Sequence, residues 1–204
     1  MLWLRNRSIR PELLDHAGEE DARSNLADIV RLNQQFGGHK VILRTLDTVA
    51  RREDAFSILD VGAASGDTAR LVKQNYPRAQ VVSLDLHVQN LAAAPAPKTV
   101  GDAFRLPFRE GAFEFVFCSL FLHHFPDEEV VTLLREMHRV ARKALLICDL
   151  ERHVLSWVFV PATWLFFHWH WITLHDGPVS VRAAFTREEL GRLAERAGIC
   201  KADA

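Results

Sequence analysis

The stretch ILDVGAASGD, residues 58–67, decides the fold of this chain. It continues an apolar, β-rich run that starts at residue 56, turns at a series of small residues, and leads into a helical pattern that stops before Pro77. Small residues allow the sharp turn that joins a strand directly to a helix. The stretch therefore predicts the strand, loop and helix that begin a βαβ unit.

Further β-rich runs follow and alternate with helical patterns. They cover residues 80–85, 98–101, 113–119 and 144–149. Before the last run, Asp127 is a good helix N-cap. The helix that follows carries apolar residues on one face, namely Val130, Leu134, Met137 and Ala141. Strands that alternate with helices lie parallel and are joined by right-handed crossovers. The sequence thus predicts an α/β protein with a doubly wound, mostly parallel sheet.

The division of the chain follows from the same patterns. Residues 1–50 form a helical preface, with helices expected at 21–36 and 41–49. Residues 51–204 form the core, which carries an aromatic-rich insert at about 153–182.

Acidic side chains surround the first turn. Asp60 precedes it, Asp67 follows it, and Asp85 ends the second strand. Doubly wound sheets bind ligands beyond the carboxyl ends of their strands, where a carboxylate can accept hydrogen bonds from ribose hydroxyls. A dinucleotide fingerprint needs a glycine where Asp67 stands, and carboxylates repel a pyrophosphate. A cofactor with an ammonium and a sulfonium group suits the loop better, so a nicotinamide oxidoreductase is the less favoured interpretation.

Three motifs together resemble a known family. ILDVGAASGD, then VSLDL at 82–86, then GDAFRLPFREGAFEFVFCSLFLHHF at 101–125 are similar to the successive motifs of class I S-adenosylmethionine-dependent methyltransferases. The resemblance covers about residues 56–150 and is strongest to the branch that acts on quinones and polyketides. It implies a Rossmann-like enzyme that binds S-adenosylmethionine and methylates a small, lipophilic or aromatic acceptor.

The resemblance also implies a set of cofactor-binding residues. The methionine end would contact Asp60 and the loop residues Gly62, Ala63, Ala64 and Gly66. The nucleoside would contact Asp85 at the ribose hydroxyls, with Leu86 beside it, and Asp102 and Ala103 at the adenine. Ser119 and Leu120 would lie near the sulfonium. Ala64 departs from the family, which more often has glycine there.

His123 and His124 are the candidate catalytic residues. A neutral imidazole near the acceptor could deprotonate a hydroxyl group. The alternative is that one ring packs at the start of the helix while the other shapes the pocket. Methyl transfer depends chiefly on alignment of the reacting atoms, so a base is not required.

The segment at 154–174, VLSWVFVPATWLFFHWHWITL, has no charged residue and is long enough to span a membrane. Pro161, His168 and His170 interrupt it, so no span is expected, although peripheral membrane contact and a homodimer remain open. Within the insert, the candidate substrate-binding residues are His153, Trp157, Trp164 and Arg182. An apolar lid over the acceptor and simple packing in the core or an interface are both compatible with this composition. The histidines of the insert are irregularly spaced, and no metal site is predicted.

Bulk composition narrows the functional classes. The net charge is −1 and the pI about 6.8, which disfavours a nucleic-acid partner and leaves a small-molecule acceptor. Cys118 and Cys148 lie in apolar runs and no signal sequence is evident, so we expect a cytoplasmic protein.

The C-terminal part departs from the resembling family. A capping box at Thr186–Glu189 begins the last helix and Gly198 ends it. The family's usual β-hairpin has no room after that, so either the sequence is a shortened form, or the edge beyond the fifth strand is covered by the insert or by a second subunit. This departure keeps a rival open, namely a non-catalytic binding or assembly protein that retains the fold.

Overall fold

The computed structural model describes residues 6–199 and contains one parallel sheet in the strand order β3-β2-β1-β4-β5. The strands are β1 (Ser57–Val61), β2 (Gln80–Asp85), β3 (Lys98–Val100), β4 (Phe113–Ser119) and β5 (Ala141–Cys148). The helices are α1 (Glu19–Gln35), α2 (Gly38–Asp47), α3 (Asp67–Asn75), α4 (Asp127–Val140), α5 (Val154–Phe167), α6 (Trp171–Ala183) and α7 (Arg187–Arg196). The predicted doubly wound α/β fold is confirmed. Because β1 lies between β2 and β4, the strand order reverses beside it, and this is where such sheets bind ligands.

The core lies on both faces of the sheet because successive side chains of a strand point to opposite sides. Leu59 and Val116 pack in one cluster with apolar residues of α4 and α7. Ile58 and Phe117 pack in the other with apolar residues of α2 and α3. Burial on both faces explains why the strands are apolar at nearly every position.

Two boundaries around α4 differ from the predictions. Pro126 is the N-cap, and Asp127 is instead the first helical residue, which pairs with Arg7 at 2.9 Å. Ala141 is not on the helix face, because it already pairs with Phe113 as the first residue of β5. The last strand therefore begins three residues before the predicted 144, since pairing with β4 overrides the helical periodicity.

The aromatic insert forms two helices instead of one continuous segment. His168 has a left-handed backbone (φ 50°) that ends α5, and α6 begins at Trp171. Within residues 6–199, no helix is long and apolar enough to cross a membrane. Trp169 between the helices is buried, whereas large apolar side chains of both helices are exposed, namely Leu155, Trp164, Leu165, Phe166 and Trp171.

No strand follows α7 in the part of the chain that the structure describes. Beyond the tip of β5, Glu151 instead forms a parallel bridge with Phe185. Arg152 reinforces this contact, because its guanidinium donates to the carbonyl of Ala184 at 2.6 Å and to Glu189 at 2.5 Å. The segment before α7 is thereby held at the carboxyl end of β5.

A buried carboxylate fastens α1 to the insert. Asp28 accepts hydrogen bonds from the His170 amide at 2.6 Å and from the Thr173 hydroxyl at 3.0 Å. Asp28 and Thr173 are both buried. The Thr173 hydroxyl is buried and the His170 amide lies in a partly buried contact, so the carboxylate is the acceptor that satisfies them.

We expect Asp28→Ala to lower the free energy of unfolding by about 2 kcal/mol, because it leaves one buried and one partly buried donor without an acceptor. Urea denaturation followed by circular dichroism measures the change. Asp21→Ala is the control, since Asp21 also contacts His170 but is 45% exposed, and we expect a loss below about 0.5 kcal/mol. Equal losses in the two variants would contradict this role of Asp28.

Candidate active site at the carboxyl edge of the sheet

The loop between β1 and α3 is built from left-handed backbone conformations. Gly62 and Gly66 have φ of 71° and 73°, and Ala64 between them has φ of 44°. Glycine adopts such angles without cost, whereas alanine does not. Ala64, noted from the sequence as a departure from glycine, thus adopts the conformation that a glycine would favour.

Asp60 lies buried beneath this loop. One of its carboxyl oxygens, Oδ2, is buried and has no hydrogen-bond partner among the residues that the structure describes. Burial, with the nearby carboxylates of Asp67 and Asp85, raises the pKa of Asp60 to about 8. The Asp67 carboxylate contacts the His39 ring at 2.8 Å. Asp60 is therefore an acid that is held neutral by its surroundings and has an unused acceptor.

Asp85, at the tip of β2, holds the loop in place. Its carboxylate accepts hydrogen bonds from the amides of Ala64 and His87, both at 3.0 Å, and from the side chain of Asn90 at 3.1 Å. A carboxylate can accept about four hydrogen bonds, so these three leave little capacity. For Asp85 to accept hydrogen bonds from both ribose hydroxyls, one of these three donors has to break its hydrogen bond to the carboxylate.

The chain itself packs against both glycines of the loop. A Cβ atom on Gly62 would lie 2.4 Å from the Phe121 ring, and one on Gly66 would lie 2.7 Å from Ala94. The sequence predicts that small residues here admit a ligand to the main chain. In the structure, their first role is to admit neighbouring side chains and backbone, with Phe121 covering Gly62.

The ends of β2 and β3 present an apolar surface next to a carboxylate. Leu86 is 59% exposed, and Val100, which pairs in register with Asp85, is 52% exposed. The Asp102 side chain is exposed and accepts from the Phe104 amide at 2.9 Å, while Ala103 is buried. Exposed apolar residues beside a hydrogen-bond acceptor suit a flat heterocycle. The resemblance to the family places adenine at this same surface.

The turn that follows β4 contributes the histidine pair. Ser119 ends β4, and Leu120 follows with φ of 51° and its amide bonded to the Cys148 carbonyl at 2.9 Å. This turn leads into the 3-10 helix Leu122–His124. The two candidate catalytic histidines are thus brought to the same edge as the glycine loop.

The two histidines have different surroundings. His123 is 3% exposed, and its Nδ1 lies 2.6 Å from the Asp149 carboxylate, whereas the His124 side chain is 33% exposed. Burial alone would lower the pKa of His123, but the charges of Asp149 and Glu12 outweigh it and raise that pKa. The catalytic role of either histidine stays a prediction, and His124 is the more accessible of the two.

The N-terminal segment crosses this edge. Arg7 donates to the carbonyls of His123 at 2.9 Å and Phe125 at 2.6 Å, and its guanidinium stacks on Phe185 at 3.7 Å. Farther along, Asp176 on α6 accepts from the amides of Leu13 and Leu14. The segment therefore links the tip of β4 to the insert.

Two of the four candidate substrate residues meet in one cleft. A cleft of about 160 Å³ is lined by Trp157 and Arg182, together with Ser8, Arg10, Pro178 and Val179. The Arg182 Nε atom is buried and has no hydrogen-bond partner within residues 6–199. His153 instead caps α5 by accepting from the Leu155 amide at 3.2 Å, and Trp164 does not line this cleft.

Sequence reasoning missed several residues of this edge. Asp149 could have been found, because it directly follows β5 and so lies at the same edge as Asp60 and Asp85. Glu12 and Phe121 carry no such signal, since their positions depend on contacts with distant parts of the chain or on packing.

The part of the chain that carries this edge is similar to known proteins. Residues 59–147 match the model of a methyltransferase domain. The chain is 38% identical over 97 residues to a demethylmenaquinone methyltransferase of Mycolicibacterium paratuberculosis. The matched region covers 45% of this chain and 40% of the relative. It is 31% identical over 106 residues to malonyl-(acyl-carrier protein) O-methyltransferase 1 of Coxiella burnetii. The matched region covers 52% of this chain and 36% of the relative. The chain thus spans about two fifths of the length of these curated relatives.

The fold comparison agrees with the family match. A SAM dependent methyltransferase from Aquifex aeolicus superposes with a TM-score of 0.62 at 17% identity, covering 87% of both chains. Similarity at this identity establishes the fold alone. The match of residues 59–147 to the methyltransferase domain model confirms the resemblance to class I methyltransferases.

We expect Ala64→Gly to stabilise the protein by about 0.5–1 kcal/mol. Relief of the left-handed alanine is worth about 1–2 kcal/mol and exceeds the added chain entropy of about 0.5–1 kcal/mol. Thermal unfolding measures the change. Ala63→Gly is the matched control, since Ala63 has no positive φ and its replacement should destabilise. A lower melting temperature for Ala64→Gly would show that the loop is not strained.

Asp60 should make stability fall as the pH rises. The folded protein keeps a proton on Asp60 up to about pH 8, which the unfolded chain loses near its ordinary pKa of 3.8, so stability declines through this interval. We expect Asp60→Asn to be more stable than the wild type above pH 8 by several kcal/mol, up to about 6, because each unit of pKa shift is worth about 1.4 kcal/mol, and we expect the difference to vanish near pH 4. Melting temperatures across this range, with exposed Glu53→Gln as control, test it. A difference that is independent of pH would refute a neutral buried acid.

Proposed function

We propose that this chain binds S-adenosylmethionine at the loop between β1 and α3 and transfers its methyl group to a small, lipophilic acceptor. The observation that carries the proposal is the buried Asp60 oxygen without a partner among the described residues, which is near enough to the carboxylates of Asp67 and Asp85 to be influenced by their charge. This acidic environment favours a cationic ligand and opposes a pyrophosphate. The methyltransferase domain match at 59–147 supports the same cofactor.

Different residues at the carboxyl edge of the sheet would bind different parts of the cofactor. Asp60 and the loop at 62–66 would hold the ammonium end, and Asp85 would hold the ribose. Leu86, Asp102 and Ala103 would hold the adenine beside Val100, and Ser119 and Leu120 would lie nearest the sulfonium. The cofactor supplies an electrophilic methyl group on a sulfonium, so the chain has to align an acceptor with it and exclude water.

The cleft beside the insert is our candidate acceptor site. Trp157 and Pro178 provide apolar surface, and Arg182 and Arg10 provide positive charge. An acceptor with an apolar body and an acidic group, such as a phenol or a carboxylate, matches these features. The relatives in the comparison are named for demethylmenaquinone and malonyl-(acyl-carrier protein), and both names denote methyl acceptors. Incubation with a panel of quinols, phenols and acyl thioesters, with methylated product detected by mass spectrometry, tests this site.

A second candidate function is binding or assembly without catalysis. The exposed Leu165 and Phe166 of α5 and Trp171 of α6 favour it, because large apolar side chains exposed to solvent can mark an interface or a membrane contact. A homodimer or peripheral membrane contact would use this surface. Methylated product from any acceptor in the panel excludes a purely non-catalytic role, whereas cofactor binding without product would favour it.

We expect isothermal titration calorimetry to detect binding of S-adenosylhomocysteine to the full chain, and Asp85→Ala to weaken it about 10- to 100-fold, or about 1–3 kcal/mol. The reason is the loss of a charged acceptor together with the loop contact to Ala64. Asn90→Ala is the control, since it removes one donor to Asp85 and leaves the carboxylate in place. Unchanged affinity in folded Asp85→Ala would refute the ribose assignment, and no binding by the wild type would refute the proposed function.

A further inference from the structure

One carboxylate and two imidazoles converge outside the loop that the proposed function uses. The Glu12 Oε1 atom lies 3.8 Å from His123 Nε2 and 3.9 Å from His124 Nδ1. One ligand atom from each residue lies within 4.8 Å of the other two. From this geometry we infer that Glu12, His123 and His124 form a binding site for a divalent transition-metal ion such as Zn²⁺ or Co²⁺.

The donor set and its spacing match such an ion. Neutral imidazole nitrogens and a carboxylate oxygen are common ligands of first-row transition metals. Ligands about 2.0–2.2 Å from a tetrahedral ion lie about 3.4 Å apart. The Glu12 oxygen therefore has to approach each ring nitrogen by about 0.5 Å, and the two nitrogens, which lie within 4.8 Å of each other, have to approach by up to about 1.4 Å. Three protein ligands leave at least one coordination position for a water molecule or another oxygen.

The residues around the cluster already orient the ligands. Asp149 can only accept a hydrogen bond as a carboxylate, so its 2.6 Å contact assigns the proton of the His123 ring to Nδ1. The Nε2 atom, which faces Glu12, then carries the lone pair when the ring is neutral. Ser180 donates its hydroxyl to the Glu12 oxygen and fixes that carboxylate. Metal-binding histidines are usually oriented by a carboxylate in this way.

The charge around the cluster and its exposure to solvent also suit a metal cation. The carboxylates of Glu12, Asp127 and Asp149 outnumber the guanidinium of Arg7, so with neutral imidazoles the cluster is negative. The His124 side chain is one-third exposed, whereas Glu12 and His123 are buried. An ion could therefore enter beside His124 and be shielded on its other side.

This assignment differs from the expectations drawn from the sequence. No metal site is predicted there, because the irregular histidines of the insert were the candidates and Glu12 lies far from His123 along the chain. A metal-bound imidazole cannot accept a proton, so the ion replaces the predicted base role of the two histidines. It would instead lower the pKa of a hydroxyl group or water bound at the open position.

Titration of the untagged, chelator-treated full chain with Co²⁺ tests the inference, because visible absorption and calorimetry report the ligands and the affinity directly. We expect the wild type and the control His138→Gln, on the exposed face of α4, to bind Co²⁺ with the same affinity. Glu12→Gln and His124→Gln should bind at least tenfold more weakly, and Asp149→Asn about 10- to 100-fold more weakly.

Absence of Co²⁺ binding by the wild type, or wild-type affinity in Glu12→Gln and His124→Gln, overturns the site. If Glu12→Gln does not fold, the partly exposed His124→Gln decides alone. The outcome is independent of the proposed function, since S-adenosylhomocysteine binding is measured separately in the presence of a chelator.

Discussion

Mutual repulsion of carboxylates at one loop is the constraint on which the rest of the edge depends. Parallel strands bring Asp60 and Asp85 to the same edge, and α3 begins there with Asp67. Three solutions relieve the repulsion: the His39 ring contacts Asp67, amide donors satisfy Asp85, and burial keeps Asp60 protonated. A ligand that brings positive charge would relieve the same repulsion, which is the basis of the cationic ligand that we propose for this loop.

The fold and the position of the edge could be predicted because they depend on local patterns. Apolar strand runs, small residues after β1 and a carboxylate after β2 occur in an order that only a parallel sheet brings together. The motif order is equally local, which explains why the resemblance covers the same part of the chain as the methyltransferase domain match at 59–147. Helix boundaries were less predictable, as Ala141 shows, since pairing with β4 decided its conformation.

The remaining parts of the site depend on contacts that no local pattern contains. Phe121 packs on Gly62 only because β1 and β4 are neighbours. Glu12 reaches the histidines because α6 holds residues 12–14 in place: Asp176 accepts from the amides of residues 13 and 14, and Ser180 donates to Glu12. The insert was ambiguous for a different reason: an apolar sequence does not say which side chains are covered, and Trp169 is buried while Trp171 is exposed.

The path of the N-terminal segment has a consequence for how the protein matures. Arg7 is held by carbonyl groups at 123 and 125 and by the carbonyl of Ala183 at 2.5 Å. The earliest described residues of the chain thus complete their contacts only after α6 has been synthesised. During translation, the loop between β1 and α3 can therefore form before Arg7 makes its contact with Ala183. The glycine loop and the contacts around His123 are completed at different times.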